Sequence, residues 1–149
     1  MKRFVMKLAY DGTNYHGWQY QINGITIQQV LEDALYQIAK EPVKVIGSGR
    51  TDAGVHALSQ YAHFDFPVNM TPLQIKLALR TKLPLDISVD EVYETQPGFN
   101  ARFDAYSRTY HYKIAQNRTP FNRHYYSYFA RQKINPVIIY KCLDYFKGT

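Results

Sequence analysis

Two short stretches fix where two helices start, and the strands must then be sought in the segments around them. Thr26-Ile27-Gln28-Gln29 has the form of a capping box, with Thr26 as N-cap and Gln29 able to reach back. Thr71-Pro72 places a proline at the first helical position, where its missing N–H costs nothing. After the first cap, Ile27, Val30, Leu31, Ala34, Leu35 and Ile38 recur on one helical face until Pro42 ends the pattern. After the second, Leu73, Leu77 and Ala78 are expected to face inward, and Pro84 is the stop. Strand-like runs surround these helices at residues 4–10, 43–46, 60–66 and 87–93. The order β-α-β-β-α-β predicts an α+β fold of the ferredoxin-like kind, an antiparallel sheet with its helices on one face. Extra strands are expected at residues 106–115 and 125–131. A closing helix is expected over 136–146, with Val137, Tyr140, Cys142 or Leu143, and Phe146 inward.

A chain of 149 residues predicts one domain, large enough to bury a core. Its single cysteine, Cys142, excludes a disulfide framework within the chain and is expected to be a packed thiol. No run reaches transmembrane length, and the N-terminus alternates like a strand without a signal-peptide core. The expectation is a cytoplasmic protein with no membrane partner. Net charge is +6, and all of it resides in residues 102–133, where seven basic side chains face Asp104 alone. Arg102, Arg108, Arg118, Arg123 and Arg131 are interleaved there with nine tyrosines and phenylalanines. Cations neutralise phosphates and aromatic rings stack on unpaired bases, so this is the footprint of an RNA surface. The predicted fold is also the one RNA recognition modules use.

The connection Gly47-Ser48-Gly49-Arg50-Thr51-Asp52-Ala53-Gly54-Val55-His56-Ala57 is richer than a turn between two strands requires. Val55 and His56 follow its last glycine, so it is not a P-loop, and its glycine spacing does not fit a dinucleotide fingerprint. Asp52 and His56 are too few ligands for a metal site, and no metal is expected. A hydrolytic glycosidase needs a pair of carboxylates, and the loop offers one. A lone Asp52 near Arg50 fits a carboxylate nucleophile kept ionised by a cation. It also fits a turn in which Asp52 caps backbone N–H groups. The residues alone leave both open.

Gly49-Arg50-Thr51-Asp52-Ala53-Gly54-Val55-His56-Ala57 resembles the signature of the tRNA pseudouridine synthases of the TruA type. Leu8-Ala9-Tyr10-Asp11-Gly12-Thr13 with Tyr15-His16-Gly17-Trp18-Gln19 resembles that family's opening strand and loop. Phe99-Asn100-Ala101-Arg102-Phe103-Asp104-Ala105 and Arg108-Thr109-Tyr110-His111-Tyr112 resemble its later motifs. The resemblance implies isomerisation of uridine to pseudouridine in the tRNA anticodon stem-loop, at family positions 38 to 40, without a cofactor. It implies Asp52 as nucleophile, Arg50 beside it, and Tyr110 stacking on the flipped base or relaying a proton. Arg102, Arg108, Arg118 and Arg123 are expected to contact RNA. Family chains continue into a second domain and act as homodimers. The 149 residues are therefore expected to be an N-terminal domain, inactive alone, and the full-length form is expected to be a homodimer. The alternative is a non-catalytic RNA-binding module of the same fold.

Overall fold

A computed structural model describes residues 1–129 and 133–148. The chain divides into two compact units, Met1–Arg108 and Thr109–Thr149.

The first unit is a mixed α/β body around a four-stranded antiparallel sheet. Its elements are β1 (Lys2–Tyr10), α1 (Ile27–Ala39), β2 (Val45–Gly47), β3 (Ala57–Phe66), α2 (Pro72–Arg80) and β4 (Ile87–Thr95), with strand order β2-β3-β1-β4. Alternation along β1 sends Phe4, Met6, Leu8 and Tyr10 to one face, where all are buried. Directly paired Phe4 and Phe64 stack at 5.9 Å between ring centres, and Phe66 meets both rings edge-on. Ile27, Leu31, Ala34 and Leu35 of α1 and Ile75 and Leu79 of α2 close over the same face and form one core.

The inward face of α2 is thus Ile75 and Leu79, not Leu73 and Leu77, which are 63% and 50% exposed. Both pairs have i, i+4 spacing, so the helix carries two apolar stripes on opposite sides. Periodicity alone does not choose between them. The two caps also differ. At α2 the box is complete, since Thr71 Oγ1 accepts from the Gln74 N–H while the Thr71 N–H donates to Gln74 Oε1. At α1 only Thr26 takes part, accepting from the Gln29 N–H at 3.3 Å. The next free donors of that helix, the N–H groups of Ile27 and Gln28, go instead to the carbonyls of Gly17 and Trp18.

The second face of the sheet carries polar pairs. Arg3 and Asp65 lie opposite each other and form a bidentate pair, Nε to Oδ1 at 2.8 Å and Nη2 to Oδ2 at 2.7 Å. This bonding holds the Asp65 carboxyl below its ordinary range. Arg3 Nη1 also donates to the Phe99 carbonyl, and the Ala101 N–H donates to His63 Nδ1 at 3.0 Å. Together they pin residues 99–101 across this face, leaving His63 only 3% exposed.

Burial, assisted by the Arg3 charge, lowers the His63 pKa below its ordinary 6.5. The fold holds the neutral ring, because a protonated Nδ1 cannot accept from Ala101. The unfolded chain therefore binds the proton more readily. Stability should be full above pH 6.5 and fall as pH drops below it, until the folded ring itself protonates. Urea midpoints measured across that window should show the slope in the wild type. His63→Asn, which keeps an acceptor but cannot titrate, should flatten it; an equal slope in the variant would assign the effect elsewhere.

In the second unit, β5 (Ile114–Ala115) and β6 (Ser127–Tyr128) form a two-residue parallel pair. They are much shorter than the strands expected over 106–115 and 125–131, and residues 130–132, including Arg131, lie outside the described residues. Helix α3 (Pro136–Leu143) starts at its proline with Asn135 as N-cap, and a 3₁₀ turn, Asp144–Phe146, follows. The expected inward side is not buried: Val137, Tyr140, Leu143 and Phe146 are exposed, and so is Cys142. The apolar spacing identified a helix correctly, but among the described residues nothing in this unit buries the face it defines.

Candidate active site

Asp52 stands at the tip of the connection between β2 and β3, and its neighbours, rather than its own side chain, fix where it is. Asp52, Ala53, Gly54 and Val55 form a turn closed by the Val55 N–H on the Asp52 carbonyl at 3.2 Å. Gly54 has φ of 76°, the left-handed value that a type II turn needs at its third residue. The loop between β1 and α1 grips this turn from below. Trp18 N–H donates to the Thr51 carbonyl at 2.9 Å, and Gly54 N–H donates to the Tyr15 carbonyl at 3.2 Å. Tyr10 OH bonds Thr51 Oγ1 at 2.9 Å. Burial pushes the Tyr10 phenol up, so it stays neutral and can keep this bond at physiological pH.

The gripping loop is itself anchored. Tyr15 OH donates to Asp86 Oδ1 at 2.7 Å, and burial followed by that carboxylate raises its pKa strongly. Trp18 is 3% exposed; its ring lies against Gly47, where an added Cβ would come within 2.5 Å of the indole. Trp18 is a buttress beneath the loop. His56 Nδ1 accepts from the Gly12 N–H at 3.1 Å and lies 3.0 Å from Asp11 Oδ1. It braces the end of the loop against the end of β1. Gly17, at φ of 82°, passes so close under the loop that an added Cβ would lie 2.5 Å from the Thr51 carbonyl oxygen.

The carboxylate held this way is exposed, as is Arg50. Among the described residues, neither side chain is given a hydrogen bond or an ion pair, so Asp52 does not act as a cap for the turn it sits in. Arg50 and Asp52 share the loop without pairing. Arg102 and Arg108 are exposed in the same unit, Arg102 with its guanidinium over the Phe103 ring. Tyr110, Arg118 and Arg123 belong to the second unit and are exposed there. Among the described residues, no three His, Cys, Asp or Glu side chains gather as a metal site would require.

Composition and motif spacing did not single out Tyr10, Gln60 or His63, whose contacts turn out to organise the loop and the segment after β4. A faint signal existed for Gln60 and His63, as polar side chains inside an otherwise apolar strand. None existed for Tyr10, because its partner Thr51 is 41 residues away.

The first unit is thus an α/β body that presents, at the tip of a clamped loop, an exposed carboxylate unpaired among the described residues, with Arg50 on the same loop. The sequence pattern of the tRNA pseudouridine synthase family matches residues 7–104, which include the loop and both elements that grip it. The tRNA pseudouridine synthase A of Bacteroides thetaiotaomicron is 49% identical over 125 residues, 84% of this chain and 46% of that protein. That of Limosilactobacillus reuteri is 43% identical over 154 aligned residues, 100% of this chain and 60% of its own length. That of Exiguobacterium sibiricum is 48% identical over 124 residues, 83% of this chain and 50% of its own. The chain belongs to the tRNA pseudouridine synthase family. It spans about half the length of these relatives.

Proposed function

We propose that this chain carries the catalytic loop of an enzyme that converts uridine to pseudouridine in the anticodon arm of tRNA. The observation that carries the reading is the exposed Asp52 carboxylate, left without an internal partner while the backbone on both sides of it is fixed. A carboxylate that only capped a turn would be hydrogen-bonded to it.

The reaction breaks the N1–C1′ bond of the nucleotide and joins C1′ to C5. The C5 hydrogen leaves as a proton and N1 gains one, so no net oxidation or hydrolysis occurs and no cofactor is called for. Asp52 acts as the nucleophile that opens the step, toward the base or the sugar. Arg50 holds the nucleotide's phosphate or fills the space from which the base has swung out. Tyr110 stacks on the extruded uracil and relays a proton during rearomatisation. Arg102, Arg118 and Arg123 draw the RNA backbone to the protein.

The β-α-β-β-α-β unit is ferredoxin-like in this reading; the strand order β4-β1-β3-β2 with α1 and α2 on one core supports it. The full-length form is proposed to be a cytoplasmic homodimer, which sedimentation at micromolar concentration would test. The 149 residues alone are proposed to bind tRNA without turning it over, since relatives have about twice this length.

The test uses tRNA labelled with tritium at uridine C5. A form extended to the length of the relatives should release tritium to water and leave pseudouridine in the anticodon arm, and the 149-residue chain should not. No release from the extended form would reject the activity. Equal release from the short chain would reject the need for further length.

A further inference from the structure

Arg108 was counted above among the basic residues that draw in RNA, yet its guanidinium already has a protein ligand. The Ser48 carbonyl accepts from Arg108 Nε at 2.9 Å and from Nη2 at 2.6 Å. Nη2 also donates to the Arg102 carbonyl at 2.9 Å. The Nε–Nη2 edge is one that an arginine uses to grip a phosphate or carboxylate in bidentate fashion. Here that edge is committed to a main-chain oxygen four residues before Asp52.

The same limb of the loop is held from its other side by Gln60, 9% exposed. Gln60 Nε2 donates to the Gly49 carbonyl at 2.8 Å, and Ser48 Oγ donates to Gln60 Oε1 at 2.7 Å. An added Cβ at Gly49 would stand 3.5 Å from Arg108 Nε, so the guanidinium lies directly against the glycine. The grip from Tyr10, Tyr15 and Trp18 acts on Thr51 and Gly54, whereas Ser48 and Gly49 are held by Arg108, by Gln60 and by the Ser48 N–H, which donates to the Tyr61 carbonyl of β3 at 2.7 Å. Residues 99–101 are themselves fixed on the sheet by Arg3 and His63, which gives the segment leading to Arg108 a firm base.

We infer that Arg108 is a positioning residue for the Asp52 loop, a strut from the segment after β4 to the limb that enters the loop. Its effect on turnover rests on the functional reading above; its effect on the loop does not. Lysine in its place keeps the charge but loses the planar fork that spans two carbonyls.

Hydrogen exchange on the 149-residue chain reads the strut directly. In Arg108→Ala, the amides of Ser48, Trp18 and Gly54, which bond across the loop, should exchange at least about tenfold faster, while the β1–β3 ladder is unchanged. Arg108→Lys should behave like Arg108→Ala, and it serves as the folded variant should alanine also loosen the ladder. In the extended form, either variant should lower kcat about a hundredfold, with KM for tRNA and its salt dependence nearly unchanged. Arg118→Ala with Arg123→Ala should do the reverse, raising KM and flattening the salt dependence by about one unit of slope per lost phosphate contact. Unaltered loop exchange in both Arg108 variants would overturn the inference. So would full recovery by lysine, or a flattened salt slope with kcat intact. An extended wild type without turnover would count against the enzymatic reading only, because the exchange result stands by itself.

Discussion

Asp52→Asn should abolish pseudouridine formation while tRNA still binds with an affinity within about threefold of the wild type. The substitution keeps the shape of the side chain and removes its charge and nucleophilic oxygen. Because the Asp52 side chain holds none of the turn's hydrogen bonds, the loop should keep its form; Thr51 and Gly54 carry the anchoring. Loss of an essential nucleophile costs at least about four orders of magnitude in rate, whereas binding depends mainly on cations elsewhere. Tritium release in single-turnover experiments with the extended form, beside a filter-binding isotherm, separates the two. Retained turnover would remove Asp52 from the chemistry. Equal loss of binding would make it an RNA contact instead.

Gly17→Ala should also be damaging, although Gly17 is not a reacting residue. Two costs combine. An alanine at φ of 82° is strained by about 1 kcal/mol. Its Cβ would also meet the Thr51 carbonyl oxygen at 2.5 Å, and neither atom can rotate away without moving its backbone. One of the two segments must move, and the Trp18 N–H to Thr51 bond beside it must lengthen or break. A shift of an ångström at Thr51 is passed to its neighbour Asp52, and misplacement on that scale costs about a hundredfold in rate. Gly54→Ala is the control. It has nearly the same φ, 76°, but an added Cβ there meets open space. Gly54→Ala should lose stability by about 1 kcal/mol and turnover by less than about tenfold. If the two variants lost the same activity, strain rather than the clash would explain both, and the close approach under the loop would carry no functional weight.

The parts of this molecule legible in its sequence are those set by local rules. Thr26 and Thr71 marked the starts of α1 and α2, and the run at residues 4–10 marked a strand. The glycine-rich loop was conspicuous because its composition exceeds what a strand connection needs. The orientation of α2 was not legible, since Leu73–Leu77 and Ile75–Leu79 satisfy the same spacing and only the sheet chooses between them. Nor was the exposure of α3, whose apolar pattern calls for a covering that the described residues of its own unit do not provide. The protein contacts of Arg108 were not legible for a related reason. A cation in a basic segment reads as a phosphate contact until a carbonyl 60 residues away is seen to occupy it.

The two N–H groups at the start of α1 that close onto Gly17 and Trp18 limit how this protein can recognise an anion. A helix end with free donors is a ready phosphate cradle made of main chain, indifferent to which side chains surround it. In α1 those two donors are consumed in folding the loop that supports Asp52. In the proposed function, attraction for RNA then falls to individual side-chain charges, which can be gained or lost one codon at a time. The reactive loop is held mostly by main chain and glycine, where few substitutions are tolerated. Substitutions at Arg118 or Arg123 should therefore alter attraction for an anion without disturbing the backbone around Asp52, whereas substitutions at Gly17 or Gly47 should disturb that backbone first.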